Sequence, residues 1–92
     1  MKLLNFKISY LYLEEVTLIT IKFFSTLKRY SDNKDTIELD LGKVKNIKDI
    51  LDLFSFIPGE LGVILLNSEL ASEDSIIKDG DVIELFPIFG GG

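Results

Sequence analysis

The side chains that most often do chemistry are missing from this sequence: its 92 residues include no Cys and no His. Without Cys there are no disulfides, thiolate metal sites, iron–sulfur clusters or thiol nucleophile. Without His, the commonest general base and the commonest zinc ligand are gone. Carboxylates, hydroxyls, lysines, Arg29 and the chain ends remain. Glu14-Glu15, Asp32 with Asp35, and Glu73-Asp74 each lie in polar stretches beside turns. A hydrolytic pair needs two carboxyls converging in a pocket with separated pKa values, so these read as solvated surface charge. Asp79-Gly80-Asp81 is too compact for a calcium loop, whose ligands spread over about 12 residues. It reads as a tight turn, with Gly80 supplying positive φ.

The remaining candidate is the chain end, Gly90-Gly91-Gly92. A phosphate cradle requires a helix N-terminus after its glycines, and none follows here. Residues without Cβ can instead thread a channel too narrow for a side chain. What such a tail delivers is the terminal carboxylate of Gly92. Pro87 is expected to launch it off the sheet edge, and the stretch from Pro87 to Gly92 spans about 20 Å when extended. On this reading the protein is the substrate of an enzyme and not itself an enzyme. It binds no cofactor and no metal.

These residues need a small scaffold to position them, and the chain is long enough for one domain. Hydrophobic residues make up 47% of it, which is sufficient for a core. Ten basic against 15 acidic residues give a net charge of −5. Such a surface repels phosphates, so a nucleic-acid or membrane partner is not expected, and a basic protein surface is the natural complement. No segment has the roughly 18–20 consecutive apolar residues of a membrane span, nor the unbroken apolar core of an export signal. A cytoplasmic location follows as the expectation.

Period-two alternation marks VTLITIKFF as a strand, with Ile19, Ile21 and Phe23 on one face and Leu18, Thr20, Lys22 and Phe24 on the other. STLKRYSDN predicts a helical turn capped by Ser25, then a turn at Ser31–Asn33. TIELDLG alternates Ile37, Leu39 and Leu41 against Glu38 and Asp40, a second strand that makes an antiparallel hairpin with the first. A helix is expected from Asn46, with a capping box to Asp49 and an apolar stripe of Ile47, Ile50, Leu51 and Phe54, stopped by Pro58-Gly59. LGVILLN reads as a buried strand, Asn67-Ser68 as a turn, and Glu69–Ala71 as a short strand. Ser72–Lys78 predicts a loop with one helical turn around Ile76-Ile77. DVIELFPI is the last strand, with Ile83 and Leu85 on the core side, and regular pairing should fail at Pro87. Two hairpin strands, one helix and further strands make an α+β plan, a mixed sheet with one main helix on one face: the β-grasp.

The order of elements, the FFSTLKRY segment, Asn67, Asp79-Gly80-Asp81 and the ending FPIFGGG resemble the MoaD/ThiS sulfur carriers, relatives of ubiquitin. The resemblance runs from Val16 to Gly92. It implies that the Gly92 carboxylate is adenylated by a ubiquitin-activating-like adenylyltransferase of MoaB/MoeB/ThiF type, which supplies ATP and Mg. Conversion to a thiocarboxylate follows, then delivery of sulfur. FFSTLKRY and Phe86-Pro87 are most similar to the molybdopterin synthase small subunit, implying a large synthase subunit of MoaE type as a second partner. Molybdopterin carriers usually end Pro-Pro-Val-(Ala or Thr)-Gly-Gly, whereas Ile88-Phe89-Gly90 precedes Gly91 here, and triple-glycine ends are familiar among thiamine carriers. The acceptor therefore stays open among a dithiolene precursor, a thiazole precursor, a tRNA base and, for a protein modifier, a lysine.

The expected organisation is a leader or extra edge strand at 1–15, a β-grasp domain at 16–88 and a glycine tail at 89–92. One helix covers one sheet face, which leaves Phe24, Val82 and Phe86 on the other as an exposed apolar patch continuous with Pro87 and Phe89. Grouped solvent-facing aromatics mark a partner site. Gly90 and Gly91 thread the partner's channel, and Gly92 carries the chemistry.

Overall fold

The computed structural model describes residues 17–42 and 44–88. The leader at 1–15 and Phe89, Gly90, Gly91 and Gly92 lie outside the described residues, as do Val16 and Lys43.

Five strands form one sheet in the order β2-β1-β5-β3-β4. β1 is Thr17–Phe23, β2 Thr36–Leu41, β3 Leu61–Leu66, β4 Glu69–Leu70 and β5 Val82–Pro87. β1 and β2 are the expected antiparallel hairpin, with Ile19 opposite Leu39 and Ile21 opposite Ile37. β5 runs parallel to β1 and antiparallel to β3, and so occupies the middle of the sheet. The chain therefore leaves from the end of the central strand and not from a sheet edge. A central strand has a ladder on both sides, which makes it the most firmly held platform the sheet offers.

The alternation in β1 and β5 resolves as expected: Ile19, Ile21, Phe23, Ile83 and Leu85 are buried and interleaved with more exposed residues. Ile47, Ile50, Leu51, Leu27 and Ile77 close over them. Each fully buried side chain of this size contributes about 1.5–3 kcal/mol through removal of apolar surface from water.

Four expectations need correction. The helix α1 spans only Ile47–Leu51. Beyond it, Leu53 and Phe54 donate to carbonyls three residues back, so the chain overwinds into tight turns and Ser55 reaches φ 54°. Phe54 still meets the core, edge-on to Phe23 with centroids 5.3 Å apart. Ser25 does not cap a helix. The chain must bend sharply out of β1 while the Phe24 N–H stays bonded to the Leu85 carbonyl, so Ser25 takes φ 55° and a seven-residue 3-10 helix, Ser25–Ser31, begins without a side-chain cap. Ile76-Ile77 is not helical. Ile76 bridges to Asn46, and the carbonyls of Glu73 and Ser75 accept the first N–H groups of α1. β3 is half-buried and not fully buried, because among the described residues nothing packs over its second face.

The capping box is present: Asn46 Oδ1 accepts the Asp49 N–H at 3.1 Å, and Asp49 Oδ2 accepts the N–H groups of Asn46 and Lys45 at 3.2 and 2.9 Å. Two backbone donors at one carboxylate oxygen hold the Asp49 carboxyl below its ordinary range, the Lys45 N–H contributing most.

Candidate functional site: the uncovered sheet face and the tail root

Opposite the helix, β1 and β5 present Leu18, Thr20, Lys22, Val82, Glu84 and Phe86, and Phe24 follows β1 on the same side. Phe24, Val82 and Phe86 are half-buried and not exposed as expected, the two phenyl rings shielding each other. The rings of Phe24 and Phe86 stack, centroids 4.2 Å apart and planes within 10° of parallel. Backbone register explains the meeting. Phe23 lies opposite Leu85 in the parallel pair, which places the next residues of both strands side by side. Offset parallel rings are a favourable arrangement, worth about 0.5–1.5 kcal/mol beyond their burial.

Val63 lies beside Phe86 in the β3–β5 ladder and is 41% exposed, while Leu65 pairs with Leu70 and with Glu84. Val63, Leu65 and Leu70 thus extend the aromatic pair toward β4. Reading LGVILL as a buried strand hid them. An unbroken apolar strand signals cover on both faces, and where one face is bare the same signal marks a surface awaiting cover. Val82 lies on this face but at the far end of β5, with Glu84 between it and Phe86. Glu38, Asp40 and Glu84 give the face an acidic side, with Lys22 beside them on β1.

Pro87 sits differently from expectation. It falls on the parity of Ile83 and Leu85 and is buried, so its ring belongs to the core side and not to the apolar patch. Pairing also continues to Pro87, opposite Leu61, across an irregularity between Leu61 and Val63. The bulge accommodates a residue that cannot donate. Ile88 follows, 54% exposed, with its N–H on the Glu60 carbonyl at 3.1 Å.

Asn67 and the Asp79-Gly80-Asp81 turn prove to be structural. Asp79 Oδ1 accepts the Leu18 N–H at 2.7 Å, and the Gly80 N–H, at φ 89°, donates to the Leu18 carbonyl at 2.8 Å. Asp81 accepts from Lys78 N at 2.7 Å and from Asn67 Nδ2 at 2.9 Å. The turn ties the start of β1 to the start of β5, which keeps the two strands in the register that stacks Phe24 on Phe86.

Among the described residues no group of three or more acidic side chains could hold a metal ion. No helix among them is long and apolar enough to cross a membrane. The clefts beside Phe24 and beside Ile57 are open to solvent.

A mixed five-stranded sheet with a short helix on one face, its last strand central and running out to a glycine end, is the β-grasp of the ubiquitin-like proteins. The ThiS family model matches residues 21–92, and the chain belongs to that family of small ubiquitin-like sulfur carriers. A search of curated protein sequences returned no match. Several solved structures are similar in fold, three of them as follows. A Pyrococcus furiosus protein assigned as molybdopterin converting factor subunit 1 is 22% identical, with 77% of this chain and 97% of that chain covered and a TM-score of 0.64. Small archaeal modifier protein 1 of Methanosarcina acetivorans is 20% identical over 84% of this chain and 98% of that one, with a TM-score of 0.63. A chain from the Helicobacter pylori complex of molybdopterin-converting factor subunits 1 and 2 is 24% identical over 83% and 100%, with a TM-score of 0.56.

Proposed function

We propose that this protein carries sulfur for the assembly of molybdopterin as a thiocarboxylate on Gly92, in the cytoplasm. The observation that carries the reading is the stacked Phe24–Phe86 pair on a face that no element among the described residues covers, at the end of β5 from which the sequence runs to Gly92. An activating adenylyltransferase docks there and supplies ATP, magnesium and every catalytic side chain, since this chain has neither His nor Cys. A carboxylate oxygen of Gly92 attacks the α-phosphorus of ATP and pyrophosphate leaves. Hydrosulfide released by the donor then attacks the acyl carbon, AMP leaves with the mixed-anhydride oxygen, and loss of the sulfur's proton gives the thiocarboxylate, one carboxylate oxygen exchanged for sulfur. Gly90 and Gly91 let the chain lie extended in the partner's channel, and Phe89 and Pro87 set its start.

The likeness to two molybdopterin converting factor chains, one of them in complex with a second subunit, supports dithiolene assembly and a large synthase subunit as the second partner. The likeness to an archaeal modifier protein supports a second reading, transfer of the same activated carboxylate to a lysine amine. Thiazole or tRNA thiolation requires the same Gly92 chemistry. Intact-mass analysis of the protein from its native cells separates a carrier from a modifier, and loss of molybdopterin, thiamine or thiolated tRNA on deleting its gene separates the acceptors. A carrier is recovered partly with one oxygen replaced by sulfur, whereas a modifier is found branched onto lysines of other proteins through Gly92. Only free carboxylate, in cells making the cofactor, overturns both.

A further inference from the structure

The tail root is held from below by residues that do not belong to the uncovered face. Glu60 is their hub. Its carbonyl accepts the Ile88 N–H at 3.1 Å, and its own N–H donates to the Ile57 carbonyl at 3.1 Å. Its carboxylate is 15% exposed and is doubly engaged: the Tyr30 hydroxyl donates to Oε1, and the Arg29 guanidinium pairs with Oε2. The Tyr30 oxygen also accepts the Ile57 N–H at 3.1 Å, so one phenol holds both ends of the 57–60 turn. The Tyr30 ring packs on Phe56 at 4.4 Å, which fixes the hydroxyl in place.

Gly62 acts from the other side. A Cβ there would stand 2.8 Å from the Pro87 carbonyl oxygen and 3.0 Å from the Ile88 Cα. Both are backbone atoms, which cannot swing aside as a side-chain tip can. The bulge in β3 therefore depends on glycine to let the last residue of β5 lie against it. Pro87 has no N–H to offer at this point, so beyond its buried ring and its place opposite Leu61, the Glu60–Ile88 bond and the close approach of Gly62 fix the chain as it departs.

We propose that Gly62 and the Arg29–Tyr30–Glu60 cluster are positioning residues for the tail, directing the departing chain so that its carboxylate arrives in the activating enzyme at reacting distance. None of them touches ATP. The proposal rests on the carrier reading above. Ile88 stands four positions before Gly92 in the sequence. A released root lengthens the stretch between the last held residue and the carboxylate, which dilutes the carboxylate at the reaction centre.

Tyr30→Phe and Gly62→Ala test this with two measurements. The first is hydrogen exchange at the Ile88 amide, with the Ile83 and Leu85 amides as a control for global folding. The second is ATP–pyrophosphate exchange by the activating enzyme, titrated with the carrier. In both variants Ile88 should lose protection while Ile83 and Leu85 keep theirs. The kcat of exchange should fall about tenfold for Gly62→Ala and about threefold for Tyr30→Phe, with KM for the carrier unchanged. A role confined to stability would lower protection everywhere and leave kcat intact in the folded fraction. Loss of Ile88 protection with unchanged kcat, or a rise in KM alone, overturns the positioning role and leaves the carrier reading standing. No exchange with the unaltered protein overturns the carrier reading, and the positioning role with it.

Discussion

Asn67 and Val82 bond to each other twice where β3 and β5 meet: the Val82 N–H donates to Asn67 Oδ1 at 2.9 Å, and the Asn67 N–H to the Val82 carbonyl at 2.8 Å. The side-chain amide stands in for a backbone carbonyl that the turn into β4 has carried away. Its Nδ2 reaches Asp81, and the backbone sits at φ 51°, which Asn tolerates better than most residues. Replacing Asn67 with Gly keeps the turn and loses the side-chain bonds, at a cost of about 1 kcal/mol. Asn67→Ala adds the strain of left-handed backbone and should cost about 2 kcal/mol in total. Urea denaturation of the pair separates bond from backbone.

Phe86→Ser should leave the fold intact, because Phe86 lies on the uncovered face and the core residues Ile83 and Leu85 are untouched. Its removal strips the stack from Phe24, and loss of a buried aromatic anchor typically costs 2 kcal/mol or more, here about thirtyfold in Kd for the activating enzyme. Calorimetric titration checks it, and unchanged affinity would exclude the face as the docking surface.

Deleting Gly92 shortens the reach of the terminal carboxylate by about 3.5 Å. Adenylation should be lost while thermal unfolding of the domain stays where it was. Adding a residue after Gly92 should have the same result, because the nucleophilic oxygen is then displaced from the α-phosphate.

Asp49 makes the start of α1 sensitive to acid. Its folded pKa lies below its ordinary value because the backbone N–H groups of Lys45 and Asn46 favour the charged form. The unfolded chain therefore takes up this proton first as pH falls. The stabilisation is complete above the unfolded pKa, about 3.9, and is lost as pH drops through the folded value. The gap in urea midpoint between the protein and Asp49→Asn should be widest at pH 7 and shrink steadily below pH 4.

Leu27 is fully buried although it lies in a polar-looking stretch, STLKRYS. The 3-10 helix rolls it under the sheet beside Phe23. Leu27→Ala should cost about 2–5 kcal/mol through the cavity it leaves, more than any other change within that segment.

Much of this architecture was legible before the fold. Alternation in Thr17–Phe23 and in Val82–Phe86 separated core from surface residue by residue, because neighbouring side chains on a strand must point to opposite faces. Asn46 and Asp49 marked the helix start through a bonding pattern that is local in the chain. Gly80 marked a turn for the same reason. Periodicity carries no information about neighbours, however, so the placing of β5 between β1 and β3 was decided only when the sheet closed over a shared core. That placement buried Pro87, met Phe24 with Phe86, and left Val63 and Leu70 bare. The length of α1 was likewise decided by tertiary contact: the apolar stripe runs to Phe54, but the Phe23 ring is reached by overwinding after Leu51. The Arg29–Tyr30–Glu60 cluster left no trace in spacing, since Glu60 lies 30 residues beyond Tyr30. Sequence determines which face each residue can present, because that is a property of the local backbone. Only the folded chain decides which faces meet, because burial is shared between segments that have no register with one another until they pack.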